Sequence, residues 1–285
     1  MIRLSINYKR EQVIRRLQER IRQNQSILML GSGSGLSAVS GERGGADLIA
    51  VYSTAVLRMR GLPSMIFTLP YYDANAITLE AAEQIAPLVR DTPIILGLGA
   101  HDPSVDLERL LDAVQSVNCC GVMNEPFAGI YGDAFAKRLE QSGLGFSREL
   151  ALIAKARGRG MFTLGWAVSP GEAAAMADAG ADSVGAMILD DGPEFQGVSP
   201  EERLNAAVEK VQQICEAAHA VNPQVMVLSH GNPFYNAATA GASIERTDAV
   251  GYASGSSGER LPAERAITEI TQSYREITVN SRKDM

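Results

Sequence analysis

Eight short apolar runs, each followed by a helix-like stretch, govern what this chain can fold into. They occupy residues 27–30, 47–52, 93–97, 120–123, 161–165, 182–187, 225–228 and 249–252. Strands that are apolar without alternation are buried on both faces, which requires a parallel sheet covered by helices. Eight such units in about 250 residues predict an α/β fold, a closed (β/α)8 TIM barrel. A charged amphipathic stretch at 11–24 precedes the units. It predicts an extra N-terminal helix that covers the barrel bottom or a subunit contact. No linker, low-complexity run or charge block divides the chain, so a single domain is expected: residues 1–285, with a leading helix in 1–25 and the barrel in 26–279. The stretch between Tyr52 and Ala74 reads as a long Gly/Pro-punctuated loop. A weak internal repeat, Gly45-Ala46-Asp47 and Gly180-Ala181-Asp182, occupies two helix-to-strand corners at the bottom of the barrel.

A dinucleotide-binding sheet is the competing fold, because Gly31-Ser-Gly33-Ser-Gly35 follows a strand and opens a helix. The third glycine is misplaced for G-x-G-x-x-G, and Tyr52-Ser53 stands where the ribose-binding acid belongs. Composition narrows the function classes. The chain is 46% hydrophobic and 21% charged, which marks it as globular. Its net charge of -7 gives no footprint for nucleic acid or an anionic membrane. Three cysteines make no disulfide framework and fit a reducing compartment. The first residues lack the apolar core of a signal peptide, so a cytoplasmic location is expected.

In such barrels chemistry sits at the C-terminal strand ends. Only five lysines occur, Lys9, Lys137, Lys155, Lys210 and Lys283. All fall at the termini or within helical stretches, which excludes a Schiff-base aldolase. Cys119 and Cys120 begin a strand and Cys215 is helical, which disfavours a thiol nucleophile.

Across residues 27–277 the chain resembles the phosphoenolpyruvate hydrolase-like TIM-barrel family, related to the C-terminal barrel of Tm-1-type proteins. The carriers include Gly31-Ser-Gly33-Ser-Gly35 with Gly44-Gly45-Ala46-Asp47, Asp73-Ala74-Asn75, Gly121-Val-Met-Asn124-Glu-Pro126, Glu172-Ala173, His230-Gly231 and Glu259-Arg260-Leu261-Pro262. The chain departs from the pattern after the sixth strand, where 185–192 replaces a His and a Gly-Thr-rich run. It departs again at Asn232, which replaces a second glycine. The resemblance implies a hydrolase- or lyase-like activity on a small oxo acid or phospho-oxo acid.

Among strand-end residues, His230 follows the seventh strand and is the expected acid/base. His101 or Asp73 is its candidate partner, and Asn124 is expected to orient substrate. Asp73 can equally cap the helix after it. Gly31, Ser32, Gly33, Ser34, Ser53, Asn75, Ser254, Ser256, Ser257, Glu259 and Arg260 are substrate-contact candidates. The loop 254–258 ahead of the last helix is the expected anion site, with Arg58, Arg60 and Arg260 adding charge. His219, inside a helix, is expected to be structural. Mg2+ is compatible with Asp190 and Asp191, although these also suit a turn. Two other readings stay open: a metal-dependent C–C lyase of aldol type, and a non-catalytic small-anion-binding regulatory barrel. Symmetric self-association is expected.

Overall fold

A computed structural model describes residues 6–69, 71–189 and 197–278. The strands are β1 (Ile27–Ser32), β2 (Leu48–Val51), β3 (Ile94–Gly97), β4 (Gly121–Met123), β5 (Phe162–Ala167), β6 (Ser183–Ile188), β7 (Met226–Gly231) and β8 (Gly251–Ser254). They pair in chain order, all parallel, and β8 closes on β1 with Leu30 opposite Ser254. The expected (β/α)8 barrel is therefore the fold. Every apolar run became a strand because its side chains face either the barrel interior or the helix layer, both dry. The interior is filled by Met29, Leu48, Ile95, Met123, Phe162, Leu164 and Leu228, all buried. Two outer cores lie between sheet and helices.

The helices are α1 (Arg10–Arg22), α2 (Gly35–Arg43), α3 (Ser53–Met59), α4 (Ala74–Ile85), α5 (Leu107–Ser116), α6 (Asp133–Gln141), α7 (Phe146–Gly158), α8 (Pro170–Asp178), α9 (Pro200–Val221), α10 (Ala237–Glu245) and α11 (Arg260–Arg275). The segment read as a loop after Tyr52 is partly helical. It holds α3 and a 3-10 turn at Ser64–Thr68. Six of the seven residues of α3 are buried, Arg58 among them, so tertiary burial stabilises a helix too short to stand alone.

The leading helix α1 closes the barrel bottom. Val13 and Leu17 are buried there in the cluster that contains Met29 and Phe162. The two repeated Gly-Ala-Asp corners hold it. Asp47 accepts the Leu28 N–H at 2.9 Å and pairs with Arg20 at 3.1 Å. Asp182 accepts the Thr163 N–H at 3.1 Å and Arg10 Nε at 2.9 Å. Each aspartate thus joins a neighbouring strand to the plug. Among the described residues no helix is long and apolar enough to cross a membrane.

Candidate active site

The C-terminal ends of the strands surround a cavity of about 350 Å3. Its floor and walls are largely apolar, from Met29, Met123, Met187, Phe127 and Trp166. The polar groups that reach it include Tyr52, Thr54, Arg58, Glu125, His230, Asn232 and the 254–257 loop. An apolar hollow with a few convergent polar groups is where small ligands bind.

His230 ends β7. Its Nδ1 lies 2.5 Å from the carbonyl oxygen of Ala253, so Nδ1 carries the proton and donates it. That fixes Nε2 as the basic nitrogen, by inference from the hydrogen bond. Nε2 makes no hydrogen bond among the described residues. The ring lies between Trp166 and Tyr252, at centroid distances of 5.0 and 6.5 Å. Burial, with a smaller contribution from the Arg58 charge, pulls the imidazole down to about 4. It is therefore neutral at pH 7 and available as a base. Gly231 follows at φ +98°, where a Cβ would lie 2.1 Å from the Ile188 oxygen. Only glycine lets β7 turn away here.

Arg58 comes from α3, in the segment read as a loop. Its guanidinium is buried. It ion-pairs with Glu259, with Nε at 2.9 Å from Oε1, and Nη2 donates to the Tyr52 hydroxyl at 2.8 Å. Nη1 has no partner among the described residues. Burial works against the charge, but Tyr52 and Glu259 outweigh it and hold the guanidinium protonated. A Cβ on Gly255 would lie 3.2 Å from His230 Cε1 and 3.8 Å from Arg58 Nη2, so the 254–257 loop passes beside both. The N–H groups of Gly255, Ser256 and Ser257 find no acceptor among the described residues. Arg58, its charge balanced by Glu259, and this loop present converging N–H donors at one corner of the cavity.

Glu125 supplies the third group. Its Oε1 accepts the Thr54 hydroxyl at 2.6 Å, while Oε2 is buried without a partner. Burial pushes the carboxyl up to about 7, and Thr54 and Arg58 only partly offset this. The adjacent loop is held from behind. Asn124 donates to Glu149 and accepts the Trp166 N–H at 2.7 Å, and Glu149 accepts the Ala128 N–H at 2.7 Å.

The other expected residues separate into three groups. Ser254, Ser256 and Ser257 line the cavity with His230. The Ser254 and Ser257 hydroxyls lie 3.2 Å apart. Gly31, Ser32, Gly33, Ser34 and Glu259 form scaffold beneath this corner. Glu259 accepts the Gly33 N–H at 3.1 Å and so removes that donor from any ligand. Ser34 caps α2, Ser32 bonds to Ser37 at 2.6 Å, and Gly31 abuts Tyr52. Arg260 pairs with Glu264 at 2.7 Å along α11.

The remaining residues are not brought to the cavity. Asp73 is exposed and caps α4 through the Ala76 N–H at 2.9 Å. Its short side chain satisfies its own helix, so it does not partner His230. Asn75 clamps both backbone groups of Gly99, at 2.9 and 3.1 Å. Asn124 is fully buried within its own bonds. His101 and Ser53 line a separate hollow beside Phe67 and Pro126. Pro126 lines that hollow, while Glu125 before it lines the cavity that holds His230. His219 bonds Val225 within the helix layer, as expected. None of the four described lysines lines the mouth cavity, and Lys283 lies outside the described residues.

Sequence reasoning passed over Glu125, Tyr52, Thr54 and Trp166. A signal for Glu125 was present: an acid between a strand end and a proline.

Among the described residues no group of three or more His, Cys, Asp or Glu side chains is placed to hold a metal ion. Asp190 and Asp191 lie outside the described residues. Among the described residues lining the cavity, Glu125 is the one carboxylate. Half-occupied by Thr54 and favouring its protonated form, it does not by itself fit Mg2+.

A family model described as phosphoenolpyruvate hydrolase-like matches residues 12–277. The tomato (Solanum lycopersicum) ToMV susceptible protein tm-1(GCR26) is 38% identical over 272 residues, 95% of this chain and 36% of that protein. The chain thus spans about a third of that relative's length. A phosphonopyruvate hydrolase solved with oxalate and Mg2+ superimposes with a TM-score of 0.61 at 15% identity, over 92% of this chain and 87% of that one. An oxaloacetate acetylhydrolase solved with 3,3-difluorooxalacetate gives 0.62 at 17% identity, over 97% and 91%. At such identities the two solved structures establish the shared barrel.

Proposed function

The chain belongs to the phosphoenolpyruvate hydrolase-like family, and we propose from that premise that it hydrolyses a small oxo acid or phospho-oxo acid. The bond cleaved is the C–C bond at the oxo carbon, or a P–C bond one carbon removed from it, so that the electron pair left on carbon is an enolate. One observation carries the reading. A neutral His230, a protonatable Glu125 and an ionised Arg58 share one cavity of about 350 Å3.

The three groups divide the work. Arg58, with the N–H groups of the 254–257 loop, binds the carboxylate or phosphonate end. A desolvated guanidinium is worth more there than at a surface. His230 Nε2 takes a proton from the attacking water. The hydroxyl oxygen bonds to the carbon or phosphorus under attack, and the C–C or P–C electron pair leaves on carbon as an enolate. Glu125 gives that carbon its proton. A histidine that is basic above about pH 4 and a carboxyl protonated up to about pH 7 place both groups in their working forms on the acid side of neutrality. Met29, Met123 and Trp166 exclude water from the leaving carbanion.

The comparisons support a substrate of this class, since the solved neighbours are a phosphonopyruvate hydrolase and an oxaloacetate acetylhydrolase. The test is turnover of phosphonopyruvate, oxaloacetate and phosphoenolpyruvate with the parent protein and His230→Ala. Loss of general-base catalysis is expected to lower kcat by about 100-fold or more on the accepted substrate. Undiminished kcat in His230→Ala would remove the assignment. Saturable binding of all three with no turnover would favour the regulatory barrel instead.

A further inference from the structure

The cavity at the barrel mouth offers more apolar space than charge. Among the described residues that line it, Arg58 is the one cation and Glu125 the one carboxylate. Glu259 already balances Arg58, and burial holds His230 neutral and favours the protonated form of Glu125. These side chains therefore carry no net positive charge at neutral pH. One anionic group can still be held, by the partnerless Nη1 of Arg58 and the N–H groups of the 254–257 loop. A second carboxylate, or a phosphonate beside a carboxylate, meets no further cation there. An unpaired charge among apolar walls is strongly unfavourable.

The space lies across the barrel from that corner. The corner is built from the loop after β8 and from α3, which follows β2. In the closed ring β4, β5 and β6 stand opposite. These strands and the segments after them supply Met123, Phe127, Trp166, Met187 and Ile188, all buried and all on the cavity. Its volume, about 350 Å3, reaches the range of about 300–1000 Å3 in which pockets enclose drug-sized ligands. An acid the size of oxaloacetate, anchored at the corner, leaves the far wall uncovered. Apolar hollows hold water poorly, so an apolar group that covers this wall gains its transfer free energy.

We propose that the substrate is a singly charged oxo acid with an apolar chain, its carboxylate at Arg58 and the 254–257 loop and its chain against Met123, Trp166 and Met187. For the reaction this rests on the hydrolase reading of the mouth. An enolate must then leave without a second anionic group on the substrate, and a 2,4-dioxo acid with an apolar acyl group, an acylpyruvate, provides it. His230 Nε2 takes a proton from water, and the hydroxyl oxygen bonds to the acyl carbon. The bond from that carbon to the methylene breaks, and its electron pair leaves as the enolate of pyruvate. Glu125 protonates the methylene carbon, and the proton taken up by His230 balances the one given. The products are a carboxylic acid and pyruvate, with nothing oxidised or reduced.

A substrate series on the parent protein tests it. Acetyl-, butanoyl- and hexanoylpyruvate are compared with succinylpyruvate, which matches butanoylpyruvate in length but ends in a carboxylate. Oxaloacetate and phosphonopyruvate are run alongside, and all are assayed with and without added Mg2+. In both conditions kcat/KM is expected to rise about 4-fold per methylene. It is expected to fall at least about 10-fold from butanoyl- to succinylpyruvate, with oxaloacetate and phosphonopyruvate also below butanoylpyruvate. A flat series, or a preference for the multiply charged acids, overturns the proposal and leaves the hydrolase reading standing. Calorimetry with 2-oxohexanoate and 2-oxoadipate, which lack the bond to be cleaved, separates the other failure. Tighter binding of 2-oxohexanoate with no turnover of any acid keeps the ligand class and removes the hydrolase reading. Tighter binding of 2-oxoadipate, or no binding of either, overturns the ligand class.

Discussion

At residue scale the mouth separates two ionisable groups in opposite directions by one cause, burial. The charged form of each is penalised, so the imidazole of His230 falls to about 4 and the carboxyl of Glu125 rises to about 7. The pair is thereby set as a neutral base and a neutral acid, which is how one site runs both kinds of proton transfer. The profile of kcat/KM against pH is expected to be a bell with limbs near 4 and 7. Glu125→Gln keeps the shape and can still accept from Thr54, but it cannot give a proton. It should remove the alkaline limb and lower the plateau by about 100-fold. An alkaline limb that survives the substitution would show that another group titrates there. His230 was legible as a strand-end histidine. Glu125, an acid between a strand end and a proline, was passed over for Asn124 beside it, the more familiar orienting group, and only the fold shows that the amide is spent on Glu149 and Trp166.

At the scale of elements, helix ends and corners do most of the fixing. Asp47 and Asp182 occupy equivalent corners four strands apart, and each ties a strand end to α1 through an arginine. The repeat was visible in the sequence as Gly-Ala-Asp, and its placement at the barrel bottom was expected. Its arginine partners were not, because Arg10 and Asp182 are separated by 172 residues. Asp182→Ala should cost about 3 kcal/mol, since it leaves the mostly buried Arg10 with only the longer contact to exposed Glu11 and strips the Thr163 N–H of its acceptor. Denaturant melts measure that loss, and KM should be unchanged because the corner lies at the far end of the barrel. A shift in KM would mean that α1 couples to the mouth. α3 shows the opposite limit of reading by element. Seven residues have no helical periodicity to speak of, yet they deliver Arg58, because the neighbours that bury them come from elsewhere in the chain.

At the scale of the whole molecule, the buried acids give the fold a pH dependence with a defined sign. Glu125 rises to about 7 and Glu149 to about 8, both through burial. From pH 4.5 upward the folded state therefore holds more protons than the unfolded chain. Their contribution is full below pH 4.5 and is lost as pH rises through 7 and 8. His230, lowered to about 4, acts the other way, but little of its change remains above pH 6.5 and it is essentially complete by about pH 7.5. Between pH 6.5 and 8.5 the melting temperature should fall, and Glu125→Gln should make the fall shallower. Thermal melts at the two pH values decide it, and a flat or rising melting temperature in the parent protein would contradict these carboxyl environments.

The sequence by itself determined the barrel. Eight uninterrupted apolar runs, with helices between them, admit few other closed packings, and local pattern is enough to state that. It also placed every lysine away from the strand ends and His230 at one of them. The tertiary structure alone decided which polar groups meet. Arg58 and Glu259 lie 201 residues apart, and Thr54 and Glu125 lie 71 apart. Whether an aspartate caps a helix or faces a ligand, and whether a glycine N–H is free or already held by Glu259, depends on neighbours brought in across the barrel. The physical reason is that local pattern encodes burial, which each segment expresses on its own. Hydrogen-bond and charge partnership is a property of pairs, and only closure of the barrel brings those pairs into contact.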